Sequence, residues 1–217
     1  MTIFGQAALT EEGVNLFYKI WLNLVYGVNE NHQIIEGLEK PILGQSMTVP
    51  VEEFYKIRCA MWENPQFIDE YLDQNVTIIE EEREIISLWR KHFIKDKFVV
   101  VKHLAKYSVL STFSGDPVTL YGVYGIKDSI EDTNPLPTPF LLDTVLLPFK
   151  DRIIYDSLAK IFSVGFGSGI RSSFNKSYQE AKATQGIVES LTLPRPAPEL
   201  SPKKQTRRKK KLILLSL

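Results

Sequence analysis

The chain has 217 residues, 44% hydrophobic and 24% charged, with no formal net charge and one cysteine, Cys59. Such a chain suits one ordinary globular domain, or one domain with a helical extension, and a lone cysteine excludes an internal disulfide. No apolar run approaches the ~20 residues that cross a bilayer, and no charged-then-apolar leader opens the chain, so a reducing cytoplasm is the expected location.

The first half reads as helical. Thr10 is of N-cap type, and Glu11 and Glu12 follow where the helix dipole favours negative charge. Val14, Phe17, Trp21, Leu24 and Val28 recur at three- and four-residue spacing and make one apolar face. Residues 29–41 are polar and turn-like. Pro50 opens a second helix, where its missing N–H costs nothing, with Val51, Phe54, Ile57 and Met61 inward. Cys59 lies within it, has no His or Cys at metal-ligand spacing, and reads as a small buried side chain. Asn64 and Pro65 restart the chain into a short helix with Ile68, Tyr71 and Leu72 inward. The run TIIE from Thr77 to Glu80 has the form of a capping box and predicts a fourth helix presenting Ile78, Ile85, Trp89 and Phe93. Trp21, Trp62 and Trp89 all fall on helix faces at core spacing.

The period changes near Lys95. Residues 98–104, 106–113 and 118–126 are rich in Val, Tyr, Leu and Phe, and Gly115, Asp116 and Pro117 separate the last two. Residues 128–139 form a loop, because Pro135, Pro137 and Pro139 remove donors and fix the backbone. Strands are predicted at 141–147 and 152–158, joined across residues 148–151, and again at 161–166. After Gly169, the spacing of Ile170, Phe174, Tyr178 and Ala181 predicts a helix that Gly186 ends. Beyond Leu193 the chain is poor in apolar residues until its last few and is expected to be disordered. The fold class is therefore α+β: a helical unit over 1–94, a mostly antiparallel sheet with a closing helix over 95–190, and a flexible basic tail over 191–217.

The segment LLPFKDRIIYDSL, followed by VGFGSGIRSSFNKSYQEAK, resembles an uncharacterised group of bacterial proteins with an LPFKxxIIYDxL segment near a Gly-rich turn. The resemblance spans about Leu16 to Leu191. That group has no established activity, so it implies no catalytic residues here.

Two places in this region hold groups that chemistry requires. Gly165, Gly167 and Gly169 precede a helix and Arg171. Glycines let backbone N–H groups approach an anion, the helix N-terminus adds partial positive charge, and an arginine clamps two oxygens. The spacing is GxGxG, matches no dinucleotide or P-loop fingerprint, and also suits a tight connection. Asp143, Lys150, Arg152 and Asp156 form an alternative charged cluster. Two carboxylates and a lysine hold a divalent ion in many hydrolytic sites, yet the same residues on a hairpin simply face water. His32, His92 and His103 are scattered and make no triad. No catalytic residue, resident metal or cofactor is assigned.

The tail is the strongest hint. Lys203, Lys204, Arg207, Arg208, Lys209, Lys210 and Lys211 are seven of the nine residues over 203–211, and without them 19 basic residues face 26 acidic ones. An acidic body thus carries a basic tail that binds polyphosphate by counterion release. No aromatics are interleaved, so base stacking and sequence specificity are absent. The expectation is a non-catalytic cytoplasmic interaction protein with weak, non-specific nucleic-acid binding through the tail, and a protein partner on the body. The alternative is an enzyme or binding protein for a phosphorylated ligand at Gly165–Arg171. Sequence leaves the oligomeric state open.

Overall fold

The computed structural model describes residues 7–38, 51–162 and 164–193. Helix α1 (Glu11–His32) begins as its residues dictate: the Thr10 hydroxyl accepts the Gly13 N–H at 3.2 Å, with Glu11 and Glu12 in the first turn. Phe17, Trp21, Leu24 and Val28 are fully buried, so the apolar spacing gives the inward face. Gly27 lets α3 (Gln66–Gln74) approach closely, since a Cβ there would sit 2.3 Å from the Tyr71 ring. Helix α2 (Val51–Glu63) buries Phe54, Ile57 and Met61 but leaves Val51 71% exposed. The expected start at Pro50 lies outside the described residues.

Helix α4 (Glu80–His92) starts two residues later than the capping box predicts. Ile79 is its extended N-cap, no side chain caps it, and Thr77 stays in the preceding turn. Glu80, Glu81 and Glu82 supply the negative charge that the first turn favours. Arg83 fixes the α3–α4 corner by donating to the Leu72 and Asn75 carbonyls at 3.1 and 3.0 Å.

The strands are β1 (Ile94–His103), β2 (Ser108–Thr112), β3 (Leu120–Tyr124), β4 (Phe140–Phe149), β5 (Arg152–Tyr155) and β6 (Lys160–Phe162). Their order is β1-β2-β3-β5-β4-β6, and β1 also pairs with β4. Five strands therefore close into a ring, with β6 hung on β4. Among these six strands the β3–β5 pairing is parallel and the others are antiparallel. A short helix, α5 (Ile130–Thr133), interrupts the expected loop, and α6 (Ser168–Gln185) follows β6. Tyr178 and Ala181 of α6 are buried, whereas Ile170 is 51% exposed.

The strand expected over 152–158 is broken. Tyr155 faces Leu146, but Lys160 faces Asp143, so the four residues 156–159 lie opposite only 144 and 145. Ser157 takes a left-handed φ of 67° within this bulge. The strand expected over 161–166 stops at Phe162.

Two cores result. One, inside the ring, collects Phe98 and Val100 from β1, Leu110 from β2, Val123 from β3, Ile153 from β5 and Leu146 from β4. The other joins α1–α4 to the outer face of the ring through Val109, Val145, Leu147, Phe149 and Ile154. The helical unit and the sheet thus share apolar surface.

Candidate functional site

The bulge after β5 turns Asp156 into the interface between ring and helices. Its carboxylate is fully buried and held by Arg58 on two edges, with Nε at 2.6 Å from Oδ2 and Nη2 at 3.1 Å from Oδ1. The Trp62 indole N–H donates to Oδ2 at 2.9 Å. Thr144 Oγ1 donates to the Leu158 carbonyl at 2.8 Å and lies 3.4 Å from Oδ1. Arg58 and Trp62 stand four apart on α2, so one helix face delivers both donors. The expectation that Asp156 faces water is therefore corrected: the bulge carries it inward, and an arginine waits there. Burial pushes the Asp156 carboxyl up, with Arg58, Trp62 and the Leu158 amide pulling the other way. Burial works against the Arg58 charge, and the Asp156 carboxylate outweighs it, raising its pKa. A sealed, saturated pair of this kind pins helices to sheet and offers no open coordination or proton-transfer position.

The other members of the expected charged cluster are dispersed, which corrects the metal-and-lysine reading. Asp143 lies on β4 between Lys97 of β1 and Lys160 of β6 as register partners, a cross-strand row of alternating charge. Lys150 takes a left-handed φ of 54° in the two-residue turn between β4 and β5, and its Nζ lies 3.7 Å from Glu81. Arg152 donates to the Ala8 carbonyl at 3.2 Å and lies over the Tyr124 ring. Lys150 and Arg152 line a small cleft of about 100 Å³ with Glu12 and Asp151, where charges balance.

The Gly-rich loop is exposed. Gly165, Gly167 and Gly169 have ordinary φ values, and a Cβ on any of them would meet nothing within 4 Å. Neither close approach nor strained backbone demands glycine there. Gly167 is the N-cap of α6, and Arg171 Nε donates to the Phe166 carbonyl at 2.9 Å. Arg171 also lines a cleft of about 230 Å³ with Lys102, Thr138, Pro139, Phe174 and Asn175. Arg171 and the Lys150 turn thus belong to different clefts.

Sequence reasoning passed over Lys102 and set His103 aside as one of three scattered histidines. In the β1–β2 register, Val100 faces Leu110 and Lys102 faces Val109, so Val101 is an extra residue and the strand bulges before both. His103 Nδ1 lies 2.8 Å from Ser108 Oγ, and its Nε2 is buried without a partner among the described residues. Burial lowers the imidazole pKa, with Glu131 working the other way. His103, Glu131 and Asp132 line an open cleft of about 550 Å³. Cys59, expected to be buried, is half-buried, with Arg58 Nη1 3.9 Å from its sulfur. The three tryptophans are core residues, at most 3% exposed.

Among the described residues, no group of three or more His, Cys, Asp or Glu is arranged to hold a metal ion. No described helix is long and apolar enough to cross a membrane. The seven basic tail residues from Lys203 to Lys211 lie outside the described residues. No known protein family matches the chain, and neither a curated protein nor a solved structure is similar to it.

Proposed function

We propose that this is a non-catalytic cytoplasmic interaction protein whose body presents a partner-binding surface and whose basic tail adds weak, non-specific attraction to nucleic acid. The observation that carries this reading is charge segregation: seven cations crowd into nine residues while the rest of the chain has 26 acidic residues against 19 basic ones. Polyphosphate answers such a run by releasing condensed counterions, with no demand on base sequence. The body supports the reading from the other side, because Asp156, Lys150 and Arg152 are engaged in separate contacts.

Labelled single- and double-stranded DNA and RNA, titrated with the full chain and with a 1–200 truncation, test it. The full chain should lose on the order of a thousandfold in affinity between 50 and 200 mM salt if most of the seven cations touch phosphate. Equal affinity in the two proteins, or binding indifferent to salt, would remove the tail from the account.

The second reading, a phosphorylated ligand at Gly165–Arg171, draws support from one observation: Arg171 shares its cleft with a second cation, Lys102.

A further inference from the structure

The cleft between α6 and the bulged end of β1 differs from the other two in charge. The His103 cleft contains Glu131 and Asp132, and the Lys150 cleft sets two cations against Glu12 and Asp151. The third is lined by Lys102 and Arg171 and by no carboxylate at all. Both side chains are solvent-exposed, and they share one cavity on a body with an acidic excess. Among the described residues, neither forms an ion pair.

The fold aims both side chains. The extra residue Val101 bends β1 just before Lys102, and bulges commonly re-aim a side chain beside a site. Arg171 is tethered through Nε to the Phe166 carbonyl, which leaves its two terminal nitrogens as a fork. Phe166 is itself held edge-on to Phe174, with ring centroids 5.1 Å apart, so the tether rests on a packed aromatic pair. Asn175, four residues after Arg171 on the same helix face, and Thr138 supply neutral hydrogen-bonding groups. Pro139 and Phe174 supply apolar wall.

We propose that this cleft binds a small ligand with an oxyanion head, a phosphate monoester or a carboxylate, clamped by Arg171 and Lys102 and oriented by Asn175 and Thr138. Its volume of about 230 Å³ falls below the roughly 300–1,000 Å³ of drug-sized pockets, so the ligand is a short-chain metabolite rather than a whole nucleotide. The three glycines are not part of the clamp. The site deepens the second reading of function and stands independently of the tail.

Nuclear magnetic resonance titration of the full chain with glycerol 3-phosphate, succinate and uncharged glycerol, at matched ionic strength, tests it. Saturable shifts at the amides of Lys102, Arg171 and Asn175 are expected at millimolar concentration with one anionic probe and not with glycerol. The responding probe separates phosphate from carboxylate. K102Q and R171Q, each checked for an unchanged fold by its spectrum, should weaken that binding at least about tenfold. A chain with its seven tail cations replaced by glutamine should bind as the wild type does. No saturable shift with either anion, or wild-type affinity in both K102Q and R171Q, overturns the site. Binding lost only with the tail cations overturns it too, while leaving the tail's polyanion reading intact.

Discussion

A buried arginine is rare unless something holds its charge, and Arg58, 1% exposed, is answered by Asp156 across 98 residues of chain. Such a pair adds little net stability over an apolar isostere, but removing one partner leaves the other charge stranded. Asp156→Asn should therefore destabilise by about 3–5 kcal/mol, because Arg58 stays charged with no water to receive it. Replacing both partners, as Arg58→Met with Asp156→Leu, should recover most of that loss. Urea unfolding of the three proteins checks this. A single variant within about 0.5 kcal/mol of the wild type would show that Arg58 finds another route to solvent. The arginine was legible in principle: Arg58 and Trp62 follow Ile57 and Met61, two residues on the helix's buried face, so a carboxylate partner was required. Which carboxylate answered was not legible, because the left-handed bulge at Ser157 that points Asp156 inward has no local signature.

At the scale of elements, periodicity was a good guide and boundaries were not. Phe17, Trp21, Leu24 and Val28 repeat every three or four residues because one helix face must be apolar, and that face is the buried one. TIIE misled because a capping box is a local pattern, while the start of α4 is set by Arg83 tying the preceding turn to α3. The segment after α6 escaped sequence reasoning altogether. Val188 bonds to one edge of β3 on either side of Tyr121, accepting from the Gly122 N–H at 2.9 Å and donating to the Leu120 carbonyl at 2.8 Å. Glu189 then accepts from Lys106, and from the Tyr107 hydroxyl at 2.8 Å. Burial is the largest single influence and raises the Glu189 carboxyl, but the hydrogen bonds from Lys106 and Tyr107 and the Lys106 charge together outweigh it and hold the pKa below the ordinary glutamate value of 4.5. A depressed carboxylate contributes stability that is full above the unfolded pKa and lost as pH falls through the folded one. The strap should therefore be fully tied above the ordinary glutamate value of 4.5 and loosen as the pH falls below it. Amide hydrogen exchange at Val188 and Gly122 reads this directly. Glu189→Gln should speed exchange there at neutral pH and remove its acid dependence; unchanged protection would place the strap's stability in the backbone bonds alone.

For the whole molecule, the change of period near Lys95 separates two kinds of secondary structure without giving the helices a core of their own. Leu147, Phe149 and Ile154 from the ring pack into the same apolar cluster as Phe17, Trp21 and Trp89 from the helices. Buried polar links cross the same boundary at two points: Arg58 and the Trp62 indole N–H to Asp156, and the Trp89 indole N–H donating to the Pro148 carbonyl at 2.8 Å. Taking the helices away would strip one face of the ring of its cover and strand these links, so neither part has a low-cost way to unfold alone. Unfolding should then be a single cooperative transition. Trp21, Trp62 and Trp89 all lie in helices, so their fluorescence reports that layer, while exchange protection of the Leu110 and Val123 amides reports the ring. The two readouts should share one midpoint in urea, and Trp89→Phe, which breaks the bond to Pro148, should lower both together. A fluorescence transition that finishes while Leu110 and Val123 stay protected would mean that the ring stands without its helices. The Arg58–Asp156 pair would then be an orientation device between two independently folded parts rather than a pin within one core.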